Sequence, residues 1–173
     1  MTLHIFILAL IFFVERGGRA TALELKSDAF KYNESIPQKF TCQGEDVSPP
    51  LIWTGVPSET QSFALICGDP DAPRGDWTHW VIYDIPADVV ELKEGISTQE
   101  ILDIGAKQGI NDFGRIGYNG PCPPPGKPHH YSFRIYCLDK KLVFSPGLSK
   151  EALLRFIKGH VLAEAELLCI YRR

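Results

Sequence analysis

The chain has 173 residues, of which 45% are hydrophobic, 11% aromatic and 23% charged, values that exclude a disordered chain and fit one domain with a core of its own. A net charge of -3, from 18 basic and 21 acidic residues, argues against a general polyanion or nucleic-acid binder. The 13 Pro and 15 Gly exclude a bundle of long helices.

Leu3 to Val14 is an apolar run interrupted only by His4. As a helix it would span about 18 Å, short of a hydrocarbon core of ~30 Å. Ala20-Thr21-Ala22 then supplies the small-x-small pattern of a signal-peptidase site. No Lys or Arg precedes the run, so the positive n-region is the terminal amine alone. We expect residues 1–22 to be a cleaved export signal and 23–173 the mature domain, periplasmic or secreted. Without Arg16, Arg19 and Glu15 the mature part carries 16 basic and 20 acidic residues, net -4. Nothing in it reads as a polybasic membrane-surface segment.

Ile36 to Phe40 and Leu51 to Trp53 are short strand candidates. Ser62 to Cys67 is a nearly continuous apolar run ending at Gly68, as in a buried strand. Thr78 to Tyr83 is rich in aromatic and β-branched residues. A weaker helical stretch is read over Thr98 to Lys107. Tyr131 to Leu138 alternates, with Tyr131, Phe133, Ile135 and Cys137 on one face. Ser149 is a predicted N-cap, Ala152, Leu153, Phe156 and Ile157 an apolar helix stripe, and Gly159 the stop. Val161 to Tyr171 alternates again, with Glu164 and Glu166 on the polar side. The predicted fold is mainly β: two packed antiparallel sheets in a β-sandwich, with one or two small peripheral helices.

All five Cys lie in the mature part, and no CxxC pair occurs. Cys67, Cys137 and Cys169 sit in apolar runs and read as small buried hydrophobes. Cys42 and Cys122 lie in Gly- or Pro-rich loops and are the least strained pair for a bridge.

Three polar clusters carry the chemistry. Asp69-Pro70-Asp71-Ala72-Pro73 ends a buried strand with fixed carboxylates; it orients a histidine or a ligand, or is a solvated turn. In Trp77-Thr78-His79-Trp80, His79 stands at a strand start between indoles, as an anion donor or a hydrogen-bonded core histidine. The loop from Gly117 to Gly126 leads into His129-His130-Tyr131, where His129 and Tyr131 share a face. Asp69, His79 and His129 are metal-binding residue types, but no ligand spacing supports a metal. No Gly-x-Ser-x-Gly elbow is present. Capture of an anion by His, Tyr and backbone N–H groups fits best.

Together these segments resemble the phosphatidylethanolamine-binding protein family. The carriers are Asp69 to Pro73, His79-Trp80, Gly120-Pro121 and His129-x-Tyr131. Gly120-Pro121-Cys122-Pro123-Pro124, Cys42 to Pro50 (CQGEDVSPP) and Gly159 to Leu167 (GHVLAEAEL) are similar to its bacterial Raf-kinase-inhibitor-like branch. The resemblance covers residues 23–173. It implies a sandwich with a small pocket at one end for phosphate or the phosphoryl end of a phosphoethanolamine head group. It places Asp69 at the pocket base, Trp77 and His79 on the wall, and Ala72 and Pro73 on the rim. It lines the loop side with Gly120 and Pro121 backbone, and completes the donors with His129 and Tyr131. It implies no catalytic residue, metal or cofactor, so the function expected is non-enzymatic binding. The family also gives precedent for a kinase or protease inhibitor and for a homodimer, while an acid–base enzyme built on Asp69, His79 and His129 is the remaining alternative. Animal members continue into a helix beside the pocket; this chain stops at Arg173, which implies a more open site.

Overall fold

The structure is a computed structural model that describes residues 22–173. Residues 1–21, and with them nearly all of the expected export signal, lie outside the described part. The elements run β1 (Glu24–Lys26), β2 (Glu34–Ser35), a 3-10 turn (Gln38–Phe40), β3 (Leu51–Thr54), β4 (Ser62–Asp69), β5 (Trp77–Pro86), β6 (Glu91–Leu92), β7 (Lys107–Gln108), β8 (His129–Leu138), α1 (Lys150–Ile157) and β9 (Val161–Tyr171). They form a three-stranded sheet, β1-β3-β6, and a six-stranded sheet, β2-β9-β8-β4-β5-β7. All named pairings are antiparallel except β2 with β9, which is parallel.

The continuous apolar run of β4 has a direct cause. Phe63, Leu65 and Cys67 join the main core, and Ala64 and Ile66 join a second cluster with Leu153 and Ile157 of α1. A strand buried on both faces cannot alternate with polar residues. In β8, Tyr131, Phe133, Ile135 and Cys137 all enter the main core, as the period-two pattern predicts. Polar Glu164 and Glu166 fall on the opposite side of β9 from buried Leu167, Cys169 and Tyr171. The helix begins as read, with the Ser149 side chain accepting from the Ala152 N–H at 3.3 Å.

Two expected elements differ. Residues 98–107 are not helical. Gly105 turns with φ of 84°, Ile101 bridges Lys107, and the buried Gln108 amide donates to the carbonyls of Ser97 and Gln99, both at 2.7 Å. The strand expected over Ile36 to Phe40 stops at Ser35. Pro37 has no N–H for the ladder, and the chain enters the 3-10 turn, closed by Thr41 Oγ1 donating to Gln38 O at 2.8 Å.

Cys42 and Cys122 form a disulfide with Cα atoms 5.4 Å apart, as the loop reading favours. Cys67, Cys137 and Cys169 are free and buried. Burial pushes the Cys67 thiol well up, and that of Cys137 up to about 11.

Candidate functional site

The sheet order builds one pocket from three segments far apart in sequence. β4 is antiparallel to both β5 and β8, so its C-terminal end meets both of their starts. Asp69 ends β4 opposite Trp77, which begins β5, and His129 begins β8. Here the site opens as a cavity of about 250 Å³. Asp69, His79, His129 and Trp77 form its polar and indole walls, and Ala72, Pro73 and Arg74 stand on one side. Phe113, with Cys122, Pro123 and Pro124, closes the other.

A β-bulge aims His79. Cys67 pairs with Trp80 and Gly68 with Thr78, so β5 carries one extra residue there, His79. Bulges re-aim side chains in this way. The imidazole lies edge-to-face with Tyr131 and Phe113, with centroids 5.2 Å away in both cases. Its Nδ1 is 2.7 Å from the Asn119 carbonyl. Burial lowers its pKa below the ordinary 6.5, against opposing contributions from the Asn119 carbonyl and the Asp69 charge.

His129 is held differently. Its Nδ1 lies 2.8 Å from Asp69 Oδ2, and both side chains are largely shielded. The other Asp69 oxygen accepts the Asp71 N–H at 2.9 Å, which anchors the turn after β4. A second pair stands beside it. Asp71 Oδ2 accepts both the N–H of His130 at 2.8 Å and its Nδ1 at 2.6 Å, and these bonds hold the Asp71 carboxyl below the usual range.

Several residues expected at the site stand behind its surface. Tyr131 is fully buried beneath His79, and its hydroxyl has no hydrogen-bond partner among the described residues. Burial first, then the Asp69 charge, pushes its phenol far above the ordinary value. Gly120 and Pro121 do not line the cavity. The Gly120 N–H donates to Asp46 Oδ1 at 2.6 Å, and the Pro121 carbonyl accepts from Cys42 N. Their backbone stays outside the cavity lining and offers the cavity no N–H. A Cβ on Gly120 would sit 2.2 Å from Phe40 O, so close backbone packing requires glycine here. Trp80 also points away from the pocket, fully buried, with Nε1 donating to Gln108 Oε1 at 2.7 Å.

Arg74 and Phe113 were not singled out from sequence. Arg74 follows the Asp69–Pro73 motif directly and is exposed at the mouth, with no ion pair among the described residues. Phe113 is half-exposed, and the buried Asn111 places it: Asn111 Oδ1 accepts the N–H groups of Phe113 and Arg115 at 3.1 and 3.0 Å. Only the loop's length and composition signalled it. No group of three or more His, Cys, Asp or Glu able to hold a metal ion occurs among the described residues.

Comparison with known proteins places this geometry. The family model described as phosphatidylethanolamine-binding protein matches residues 26–172. A UPF0098 protein of Methanothermobacter thermautotrophicus is 52% identical over 151 residues, covering 87% of this chain and 99% of that protein. A UPF0098 protein of Aquifex aeolicus is 46% identical over 153 residues, covering 87% and 89%. Among solved structures, a putative phosphatidylethanolamine-binding protein homologue of Chlamydia trachomatis superposes with a TM-score of 0.81 at 42% identity, over 88% of this chain and 98% of that one. YbcL of E. coli, described as a member of the mammalian family, gives a TM-score of 0.81 at 34% identity, over 88% and 99%.

Proposed function

Because the chain belongs to the phosphatidylethanolamine-binding protein family, we propose that it is a non-enzymatic binding protein whose pocket takes a small anion or the phosphoryl end of a head group. One observation carries this reading: the Arg74 guanidinium and the Asp69-held His129 imidazole meet at one small cavity with largely apolar walls. Apolar walls strengthen a hydrogen bond to a charged oxygen, and the carboxylate behind His129 fixes the ring's orientation. Trp77, Phe113 and the prolines supply a surface for the organic part of such a ligand.

The surrounding groups suit binding better than covalent chemistry. The Cys67 and Cys169 thiols are buried and pushed up, so they stay protonated and poorly nucleophilic. The Cys42–Cys122 disulfide supports a periplasmic or secreted location.

Titration with phosphoethanolamine or inorganic phosphate tests the reading. Trp77 is the one indole on the cavity wall, so its fluorescence reports binding, and Trp77→Phe removes that response. Arg74→Ala and His129→Ala each weaken binding by about tenfold, the loss of one hydrogen bond to a charged group. Absence of any saturable heat or fluorescence change overturns the proposal. So does turnover of a phosphoester panel that disappears in His79→Asn, which would make the pocket an acid–base site.

A further inference from the structure

The large sheet has one long edge that nothing among the described residues completes. β9 runs from Val161 to Tyr171, and its partner on the outer side, β2, pairs only at Cys169 and Ile170. Beside that pairing Asn33 N donates to Leu168 O at 2.7 Å, and Ile36 N donates to Ile170 O at 3.0 Å. The carbonyls of Leu168 and Ile170 therefore point outward. Backbone groups of successive strand residues alternate between the two sides. The register of β9 against β8 is unbroken from Ala163 to Tyr171, so the N–H and C=O groups of Glu164 and Glu166 point outward too. Neither has a backbone partner on that side among the described residues.

Open space borders this edge on both faces. Between it and β1 runs a groove of about 700 Å³, with Leu23, Phe30, Ala165 and Leu167 as apolar lining and Tyr32, 61% exposed, beside them. A further opening of about 250 Å³ is lined by Arg134, Glu164, Ala165 and Glu166. Folded proteins cover a long edge, shorten it or load it with charge. Here it carries charge. Glu164 has no ion pair among the described residues, while Glu166 is held by Arg134 at 2.8 Å and by Ser132. Along the groove Lys26 pairs with Glu24, and Asp28 and Lys31 offset each other. The unbalanced charge at the edge is therefore negative. Antiparallel pairing with the β9 of a second copy, centred here, sets acid against acid, and like charges directly opposite are destabilising.

We propose that the β9 edge from Ala163 to Leu167 docks an extended segment of another protein, which joins the sheet as a strand in line with β2. The side chains of that segment alternate. One set is apolar and enters the groove beside Ala165 and Leu167. The other is basic and lies on the outer face beside Glu164 and Glu166. Main-chain hydrogen bonds supply affinity, and the apolar–basic alternation supplies selectivity. β9 meets the anion pocket only at its far end, where Tyr171 stands opposite His129, so this site is independent of that pocket.

Amide exchange of the full chain, followed residue by residue by NMR, is the first test. The Glu164 and Glu166 amides should exchange at least about tenfold faster than those of Ala163, Ala165 and Leu167, which face β8. Protection of both in the protein alone overturns the inference, because the edge is then already filled. A dimer in sedimentation would assign it to a second copy, and a monomer to the chain's own N-terminal residues. The probe is an end-capped peptide of four Val-Lys repeats, compared with four Val-Glu repeats and with octalysine. The Val-Lys peptide should slow exchange at Glu164 and Glu166, and bind at least about tenfold more tightly than either comparison. Failure of that peptide to bind overturns the inference. So does equal binding of octalysine, which is charge attraction alone, and so does binding that leaves the two amides unprotected. Glu164→Lys alters an exposed side chain that holds no ion pair, and the fold should stand. It should weaken Val-Lys binding by at least about threefold and strengthen Val-Glu binding. Unchanged affinities for both peptides overturn the assignment of a basic partner.

Discussion

His129 Nδ1 lies 2.8 Å from Asp69 Oδ2, joining the start of β8 to the end of β4 across 60 residues of sequence. The carboxylate fixes the ring so that its other nitrogen keeps one orientation at the cavity. Asp69→Asn keeps an acceptor there and removes the charge. It should leave the fold intact and weaken phosphate binding by roughly three- to tenfold, since charge-assisted hydrogen bonds are about twice as strong as neutral ones. Unchanged affinity in a calorimetric titration would show that the carboxylate does not govern the site.

His79 makes stability depend on pH. Its folded-state pKa lies below the ordinary 6.5, so below that pH the unfolded chain binds the proton more readily than the native protein. The effect is absent above pH 6.5, and stability is lost as pH falls from there toward the folded-state pKa. The slope is bounded by about 1.4 kcal/mol per pH unit for one group. Urea unfolding at pH 7.5, 6 and 5 should show a shallower loss for His79→Asn than for wild type. Parallel curves would remove His79 as the source.

The Cys42–Cys122 bridge closes a separation of 80 residues. Replacing both with Ser should lower stability by about 2–4 kcal/mol, seen as a lower urea midpoint. The denatured, unreduced protein should titrate as three thiols, those of Cys67, Cys137 and Cys169. A count of five would contradict the bridge.

Gly120 and Gly126 separate two reasons for glycine in one loop. At Gly120 a Cβ would collide with Phe40 O and crowd Thr41 Cα, at 2.2 and 2.8 Å. Gly120→Ala should cost about 1–3 kcal/mol through forced backbone movement. At Gly126 there is open space, but φ is 140°. Gly126→Ala should cost about 1 kcal/mol from backbone strain alone. Comparable midpoints for the two variants would argue against backbone packing as the reason for Gly120.

The long strands were readable because each is nearly all apolar, alternating, or rich in aromatic and β-branched residues. The bordering Gly, Pro and Ser marked their ends. The short strands β6 and β7 were not readable, since two residues carry no period. The stretch before β7 looked helical because its fate depends on the Gln108 side chain, a contact that spacing does not encode. Asp69, His79 and His129 were legible as a set because each lies at or near the end of an apolar strand beside a Gly- or Pro-rich loop. Their roles were less so. Which side of the sheet His79 faces is decided by a bulge, and whether Gly120 donates to a ligand is decided by Asp46, 74 residues away. Arg74 carried no signal in the sequence, because its lack of an ionic partner appears only in three dimensions.

The pocket rests on the ends of β4, β5 and β8, adjacent strands in the middle of the large sheet. Central strands belong to the portion of a fold that opens last, so we expect the pocket base to loosen only with opening of the sheet itself. Ligand occupancy is therefore coupled to the whole molecule, and a bound anion would slow amide exchange across the central strands, well beyond the residues it touches.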